Sequence, residues 1–199
     1  MATKKKVGIK VPTKNEILKK YGSMIIQASD TKEPGLWLPS TFFNLNYTLG
    51  GGFPWGKVTE IAGEESSGKT LIALNAAYAC QQLGGSVIWV DAEQSWMNSW
   101  AELNGIDPNK VTVIRDTRIE YISDAVADVA IYLRSQLVNN EPILLVVDSV
   151  AAIDCSDNID SKMVDGKAEM GGRAKALYKY FRIRSELFYK LGVTQIYIN

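Results

Sequence analysis

The octapeptide Gly63-Glu64-Glu65-Ser66-Ser67-Gly68-Lys69-Thr70 constrains this chain more than any other feature. It satisfies the pattern G-x-x-x-x-G-K-[ST] without a mismatch. At average residue usage a chance match in a chain of 199 residues is roughly 1%, so the motif is a sound anchor. The two glycines let the backbone turn tightly, so that successive N–H groups converge on an anion. A helix starting near Lys69 adds the positive end of its dipole. Lys69 can then reach the β- and γ-phosphates of a nucleotide, and the Thr70 hydroxyl can hold Mg²⁺. The bland alternative is a glycine-rich strand-to-helix turn. Context favours the phosphate site, because strand-like residues 58–61 precede the loop and helix-forming residues 70–83 follow it.

From this loop onward the chain alternates strand and helix. Gly84-Gly85 ends the first helix, and residues 86–90 are an apolar strand. A helix holding Trp96 and Trp100 closes at Gly105, and residues 111–114 form the next strand. Residues 120–138 carry Ile122, Val126, Val129 and Leu133 at helical spacing. Residues 143–147 are wholly apolar, as in a strand buried on both faces. Residues 155–169 are polar and predict a loop. A long helix over residues 170–191 stops at Gly192, and residues 194–198 make a last strand. This rhythm predicts an α/β fold with a largely parallel central sheet flanked by helices. Upstream, Thr13 and Glu16 form a capping box for a helix over residues 14–21, which Gly22 ends. Met24-Ile25-Ile26 predicts a short strand, and residues 27–40 a loop. The expected division is a basic N-terminal arm, residues 1–34, carrying that helix and strand, and a core, residues 35–199.

Composition narrows the classes further. Hydrophobic residues at 46% and charged residues at 22% describe a globular chain. No run approaches the ~20 apolar residues of a membrane span. The basic start has no apolar segment behind it, so a secretory leader is not expected. Cys80 and Cys155 stand far apart, which suits a reducing compartment and a cytoplasmic location. Histidine is absent, which removes Ser-His-Asp and Cys-His nucleophile chemistry and imidazole zinc sites. The formal net charge is zero but unevenly spread: residues 1–20 hold seven lysines against one glutamate, residues 91–160 thirteen acids against four bases, and residues 161–190 eight bases against three acids. Such asymmetry suits an anionic partner or head-to-tail subunit contacts; the alternative is an ordinary solvated surface.

A phosphate loop of this kind calls for an apolar strand ending in an acid that orients Mg²⁺ through water. Ile143-Leu144-Leu145-Val146-Val147-Asp148-Ser149 supplies it, with Asp148 at the strand's C-terminal end, where parallel sheets bind ligands. Hydrolysis also needs a group to orient water. The strand after the loop-bearing helix ends in Val90-Asp91-Ala92-Glu93, and Glu93 is the candidate to polarise the attacking water. Its alternative role is to cap the following helix; Asp91 reads as structural. In the helix over residues 170–191, at about 100° per residue, Lys175, Lys179, Arg182 and Lys190 fall within a stripe of about 80°. Leu177, Phe181, Phe188 and Leu191 oppose them. Cations on one stripe suit nucleic-acid phosphates, and the competing reading is a plain amphipathic surface helix. Arg173 and Arg184 point nearer the apolar side, and this geometry does not account for them.

Taken in order and spacing, these residues resemble the RecA-family recombinases of bacteria and their phages. The likeness rests on Leu49-Gly50-Gly51-Gly52, Gly56-Lys57-Val58-Thr59-Glu60-Ile61, the octapeptide, Val90-Asp91-Ala92-Glu93, Val146-Val147-Asp148-Ser149-Val150-Ala151-Ala152, Met170-Gly171-Gly172-Arg173-Ala174 and Ile196-Tyr197-Ile198-Asn199. It covers the chain from about residue 14. The resemblance implies a RecA-like P-loop NTPase core that uses ATP and Mg²⁺. Gly63, Glu64, Glu65, Ser66, Ser67, Gly68, Lys69, Thr70 and Leu71 would surround the nucleotide, Thr70 and Asp148 would serve the metal, and Lys69 and Glu93 would act in catalysis. Trp100 falls where the family places an aromatic against adenine, a task a flat indole suits; its alternative is a core position. Residues 155–170 would be the first DNA-binding loop, with Met170 separating base triplets. Arg173, close to that loop, would join Lys175, Lys179 and Arg182 on DNA. The N-terminal helix would pack on a neighbouring subunit and the short strand would extend its sheet.

The activity so implied is DNA-dependent ATP hydrolysis by a head-to-tail filament on single-stranded DNA, which pairs that strand with homologous duplex DNA and exchanges strands in recombination and repair. The rivals are a RecA-like ring helicase or regulatory ATPase, a P-loop kinase, and a non-catalytic interaction subunit. The family's γ-phosphate-sensing residue, second DNA-binding loop and later strands would come after Asn199. The 199-residue chain alone is therefore expected to hydrolyse ATP weakly and to leave its last strand without the partners that normally follow it, an aggregation liability.

Overall fold

The computed structural model describes residues 12–25, 36–138, 140–164 and 171–199. The chain divides into two compact units, residues 1–35 and 36–199. In the first unit α1 (Lys14–Tyr21) starts at a complete capping box. The Glu16 N–H donates to Thr13 Oγ1 at 3.3 Å, and the Thr13 N–H donates to the Glu16 carboxylate at 2.8 Å. The helix ends at Gly22, as expected. The strand expected at residues 24–26 does not form over its described part: Gly22–Met24 is a 3₁₀ turn, and Ile26 lies outside the described residues. A strand needs a ladder to satisfy its N–H and C=O groups, and the described residues of this unit supply none.

The second unit opens with β1 (Trp37–Leu38), α2 (Phe43–Thr48) and β2 (Phe53–Pro54), the two strands pairing antiparallel. Residues 37–38 are thus a strand inside an expected loop, because pairing lets Leu38 and Phe53 bury almost completely. There follow β3 (Val58–Ile61), α3 (Lys69–Gln82), β4 (Ser86–Asp91), α4 (Asn98–Leu103), β5 (Val111–Ile114), α5 (Ile119–Gln136), β6 (Ile143–Asp148), α6 (Ser156–Val164), α7 (Gly172–Leu191) and β7 (Val193–Ile198). Five strands form one parallel sheet in the order β3-β7-β6-β4-β5.

Alternation along the strands sorts the core into two layers. Val87, Trp89, Leu144, Val146, Ile196 and Ile198 face Ala73, Leu74, Ala77 and Cys80 of α3. Ile88, Val90, Leu145, Val147 and Tyr197 face α5 and α7 through Ile122, Val126, Tyr180 and Phe188. The alanines of α3 let that helix lie close to the sheet. Truncating a side chain as buried as Leu74 costs about 2–5 kcal/mol.

Three further expectations change. The last strand is not an exposed edge: β7 is the second strand of the sheet, bonded to β3 on one side and β6 on the other. Trp96 precedes its helix, because the Ser95 and Trp96 N–H groups both donate to the Asp91 carboxylate, which holds the chain in a turn until Asn98. Residues 156–164 are helical and not loop. The Glu120 carboxylate accepts from the Ser156 N–H at 3.0 Å and its hydroxyl at 2.9 Å, capping the new helix from α5. Residues 165–170, Met170 among them, lie outside the described residues.

Candidate functional site

The chain leaves β3 at Ile61 and enters α3 at Lys69 through the glycine-flanked loop. Ser66 (φ 60°) and Gly68 (φ 90°) adopt left-handed backbone. Nothing lies within 4 Å of the place a Cβ on Gly68 would take, so conformation and not crowding selects glycine there. No side chain caps α3, which leaves its first N–H groups available to an anion. Lys69 Nζ curls back and donates to the carbonyls of Gly63 and Glu64, both at 2.7 Å.

The acids arrive on neighbouring strands. In the β4–β6 register Asp91 stands opposite Asp148. Asp148 Oδ2 accepts from the Thr70 hydroxyl at 2.9 Å. Asp148 is buried, and burial lifts its carboxyl above the ordinary range. The nearby Glu93 and Asp91 charges add to the rise, while the Thr70 hydrogen bond and Lys69 oppose it. Asp91 is fully buried and fully engaged, accepting from Ser95 N at 2.8 Å and from Arg115 Nε at 3.1 Å. It therefore builds the turn from which Glu93 projects. Glu93 is exposed and does not cap α4, whose N-cap is Met97. Its carboxylate accepts from the Ser149 hydroxyl.

These groups line one cleft of about 540 Å³. Glu65, Ser66, Ser67, Gly68, Lys69, Thr70 and Leu71 form one wall; Glu93, Trp100, Asp148, Ser149 and Asn199 border the rest. Gly63 and Glu64 are not among the lining residues, and their carbonyls are joined to the cleft through Lys69. Trp100 is 38% exposed at this cleft, so it is not a closed core position. The donors fit a nucleotide with Mg²⁺. The oxygens of Thr70 and Asp148 suit a hard cation, which takes one or two protein oxygens and leaves its other positions to phosphates and water. Burial first, and the Glu93 and Asp91 charges after it, disfavour the ionised Asp148 carboxyl, and a cation bound beside it would offset both. Among the described residues no cluster of three or more acids or cysteines forms a self-sufficient metal cage. Ser149 and Asn199 belong to the cleft, although no motif logic singled them out; the position of Ser149 directly after Asp148 was the available signal.

The basic residues lie on α7. Lys175, Lys179 and Arg182 are exposed, as is Lys190, which pairs with Glu186 at 2.6 Å. The two arginines off the stripe are both engaged. Arg173 donates from its guanidinium to the Val150 carbonyl at 2.8 Å. Arg184 donates through Nε to Ser123 Oγ at 2.8 Å and pairs with Asp124, tying α7 to α5.

The sequence matches known proteins over nearly its whole length. The RecA N-terminal domain family matches residues 10–199. The chain is similar to Protein RecA of Malacoplasma penetrans, at 36% identity over 185 residues, covering 92% of this chain and 53% of that protein. It is similar to Protein RecA of Corynebacterium jeikeium, at 35% over 179 residues, covering 89% and 45%. Against Protein RecA of Mycoplasma mycoides it is 37% identical over 157 residues, covering 78% and 43%. The chain thus spans about half the length of the curated relatives it matches.

Proposed function

The chain belongs to the RecA family, and from that membership we propose that it acts as an ATP-dependent recombinase, forming head-to-tail filaments on single-stranded DNA and pairing that strand with homologous duplex in the cytoplasm. The observation that carries the reading is the convergence of Lys69, Thr70, Glu93, Trp100 and Asp148 on one cleft. Lys69 exchanges its two loop carbonyls for phosphate oxygens. Thr70 and Asp148, hydrogen-bonded to each other, would hold the metal, the Thr70 hydroxyl as a ligand and Asp148 orienting it through water. Mg²⁺, when bound, neutralises charge on the β- and γ-phosphates. Trp100 offers its ring face to adenine, and Glu93 orients the attacking water.

Lys175, Lys179 and Arg182 neutralise DNA phosphates from the exposed side of α7, with Met170 in the segment before it. The N-terminal unit serves assembly. Leu18, Tyr21, Met24 and Ile25 are exposed on it, an apolar surface that a neighbouring subunit would cover. Among the described residues no helix is long and apolar enough to cross a membrane.

Lys69→Ala tests the site. Hydrogen bonds to charged groups contribute about 1.5–3 kcal/mol, so the variant should bind ATP on the order of 10–100-fold more weakly. It should also lose ATP-dependent filaments in electron micrographs. Filaments equal to those of the parent protein would remove the cleft from the proposal.

A further inference from the structure

Arg173 has a bonding pattern that a simple phosphate contact does not require. It sits in the first turn of α7, off the cationic stripe, and is half-buried. Its guanidinium reaches 23 positions back along the chain to the Val150 carbonyl at 2.8 Å. Val150 opens the 3₁₀ turn Val150–Ala152 directly after Ser149. Ser149 in turn donates its hydroxyl to the Glu93 carboxylate. The chain of contacts therefore runs from α7 through Arg173, Val150 and Ser149 to the residue that would orient water.

Both ends of this chain are firmly seated. At the α7 end, a Cβ on Gly172 would meet Asn158 Oδ1 at 3.1 Å and Cys155 Sγ at 3.2 Å, so the first turn is wedged against α6. At the other end, Ala92 N donates to Asp148 O at 3.0 Å, and the Asp91 carboxylate fixes the following turn, leaving Glu93 to be set by its own side-chain partner. Within the link the donor is a guanidinium, and a charged donor makes a bond roughly twice as strong as a neutral one.

We propose that Arg173 is a positioning residue, which transmits the state of the polyanion-bound α7 to the Glu93 carboxylate through the Val150 carbonyl and the Ser149 hydroxyl. This rests on the recombinase reading above and deepens it. It assigns Arg173 to communication and leaves the grip on DNA to Lys175, Lys179 and Arg182. A displacement of α7 on binding a strand moves Val150, and Ser149 carries that movement to Glu93.

The test uses the full chain with a single-stranded oligonucleotide and follows amide hydrogen exchange at residues 149–153, with the weak ATP turnover expected of this chain, measured in single-turnover format, as a second readout. In the parent protein, DNA should change exchange of the Ala152 and Ile153 amides, which bond to Ser149 O and Val150 O. Arg173→Met should abolish that DNA-dependent change and the DNA stimulation of turnover, while Arg173→Lys, which keeps a donor, restores both in part. Ser149→Ala should keep the exchange response and lose only the stimulation, because it cuts the link downstream. In the double variant the effects should not add, as for residues acting as a unit. Unfolding midpoints separate these outcomes from loss of fold.

The inference is overturned if the exchange response survives in Arg173→Met. It is equally overturned if that variant binds DNA more weakly with and without nucleotide and its salt slope drops by about one unit, the signature of a direct phosphate contact. A parent protein that binds DNA without any response at residues 149–153 sinks the inference alone. A parent protein that binds no DNA sinks the recombinase reading and this inference with it.

Discussion

Asp148 concentrates the chemistry of the cleft in one carboxylate. Burial and two neighbouring acids disfavour its charge, and the Thr70 hydroxyl and Lys69 oppose them. Nucleotide binding should therefore depend on a divalent cation through this residue. Chelation with EDTA is expected to weaken ATP-analogue binding to the parent protein, and Asp148→Asn is expected to lose most of that sensitivity. A variant as sensitive as the parent would move the metal elsewhere. Cys80 offers a separate test of the core. Burial pushes its thiol from 9.0 to about 12. Above the ordinary value the unfolded chain releases this proton while the native chain keeps it. Stability is then full below that value and falls as pH rises, by up to about 1.4 kcal/mol per unit from this group. Cys80→Ala should flatten the alkaline decline in urea-unfolding free energy; an identical decline would contradict it. At this scale the sequence reveals Lys69, Thr70, Asp148 and Glu93, because each occupies a fixed offset from a strand end. The Ser149–Glu93 and Arg173–Val150 contacts leave no such trace, since they join positions brought together only by the sheet.

The helices divide along the same line. α5 and α7 are legible because each carries an apolar stripe at helical spacing, and α3 because its residues favour helix by composition. The segment that becomes α6 is not, because its N-terminal cap is Glu120, which belongs to α5. Strand β1 is equally illegible: two residues carry no periodicity, and its partner lies beyond α2. The geometry of α7 leaves Arg184 unexplained until α5 supplies Ser123 and Asp124. The cationic stripe itself makes a measurable claim. Replacing Lys175 and Arg182 together by Ala should reduce the slope of log affinity for single-stranded DNA against log salt by about one unit per lost contact. An unchanged slope would take α7 out of the interface.

At the scale of the molecule, strand order makes the site. The loop after β3 and the acids after β4 and β6 lie far apart in sequence, yet β7 and β6 stand between β3 and β4 and bring their C-terminal ends to one edge. Ligands of parallel sheets bind at that edge. The alternation of strands and helices foretells the parallel sheet, but not that the last strand enters its interior beside β3. That insertion gives Asn199 its place in the cleft, with its N–H on the Ile61 carbonyl at 2.9 Å and its carbonyl accepting from Gly63 N at 3.3 Å. The loop at this edge and the cations of α7 belong to one compact unit, residues 36–199. The most direct measurement is the anisotropy of a labelled single-stranded oligonucleotide titrated with the protein, with and without a non-hydrolysable ATP analogue and Mg²⁺. Tighter binding with the analogue is the predicted result, and the same affinity in both titrations would contradict the account.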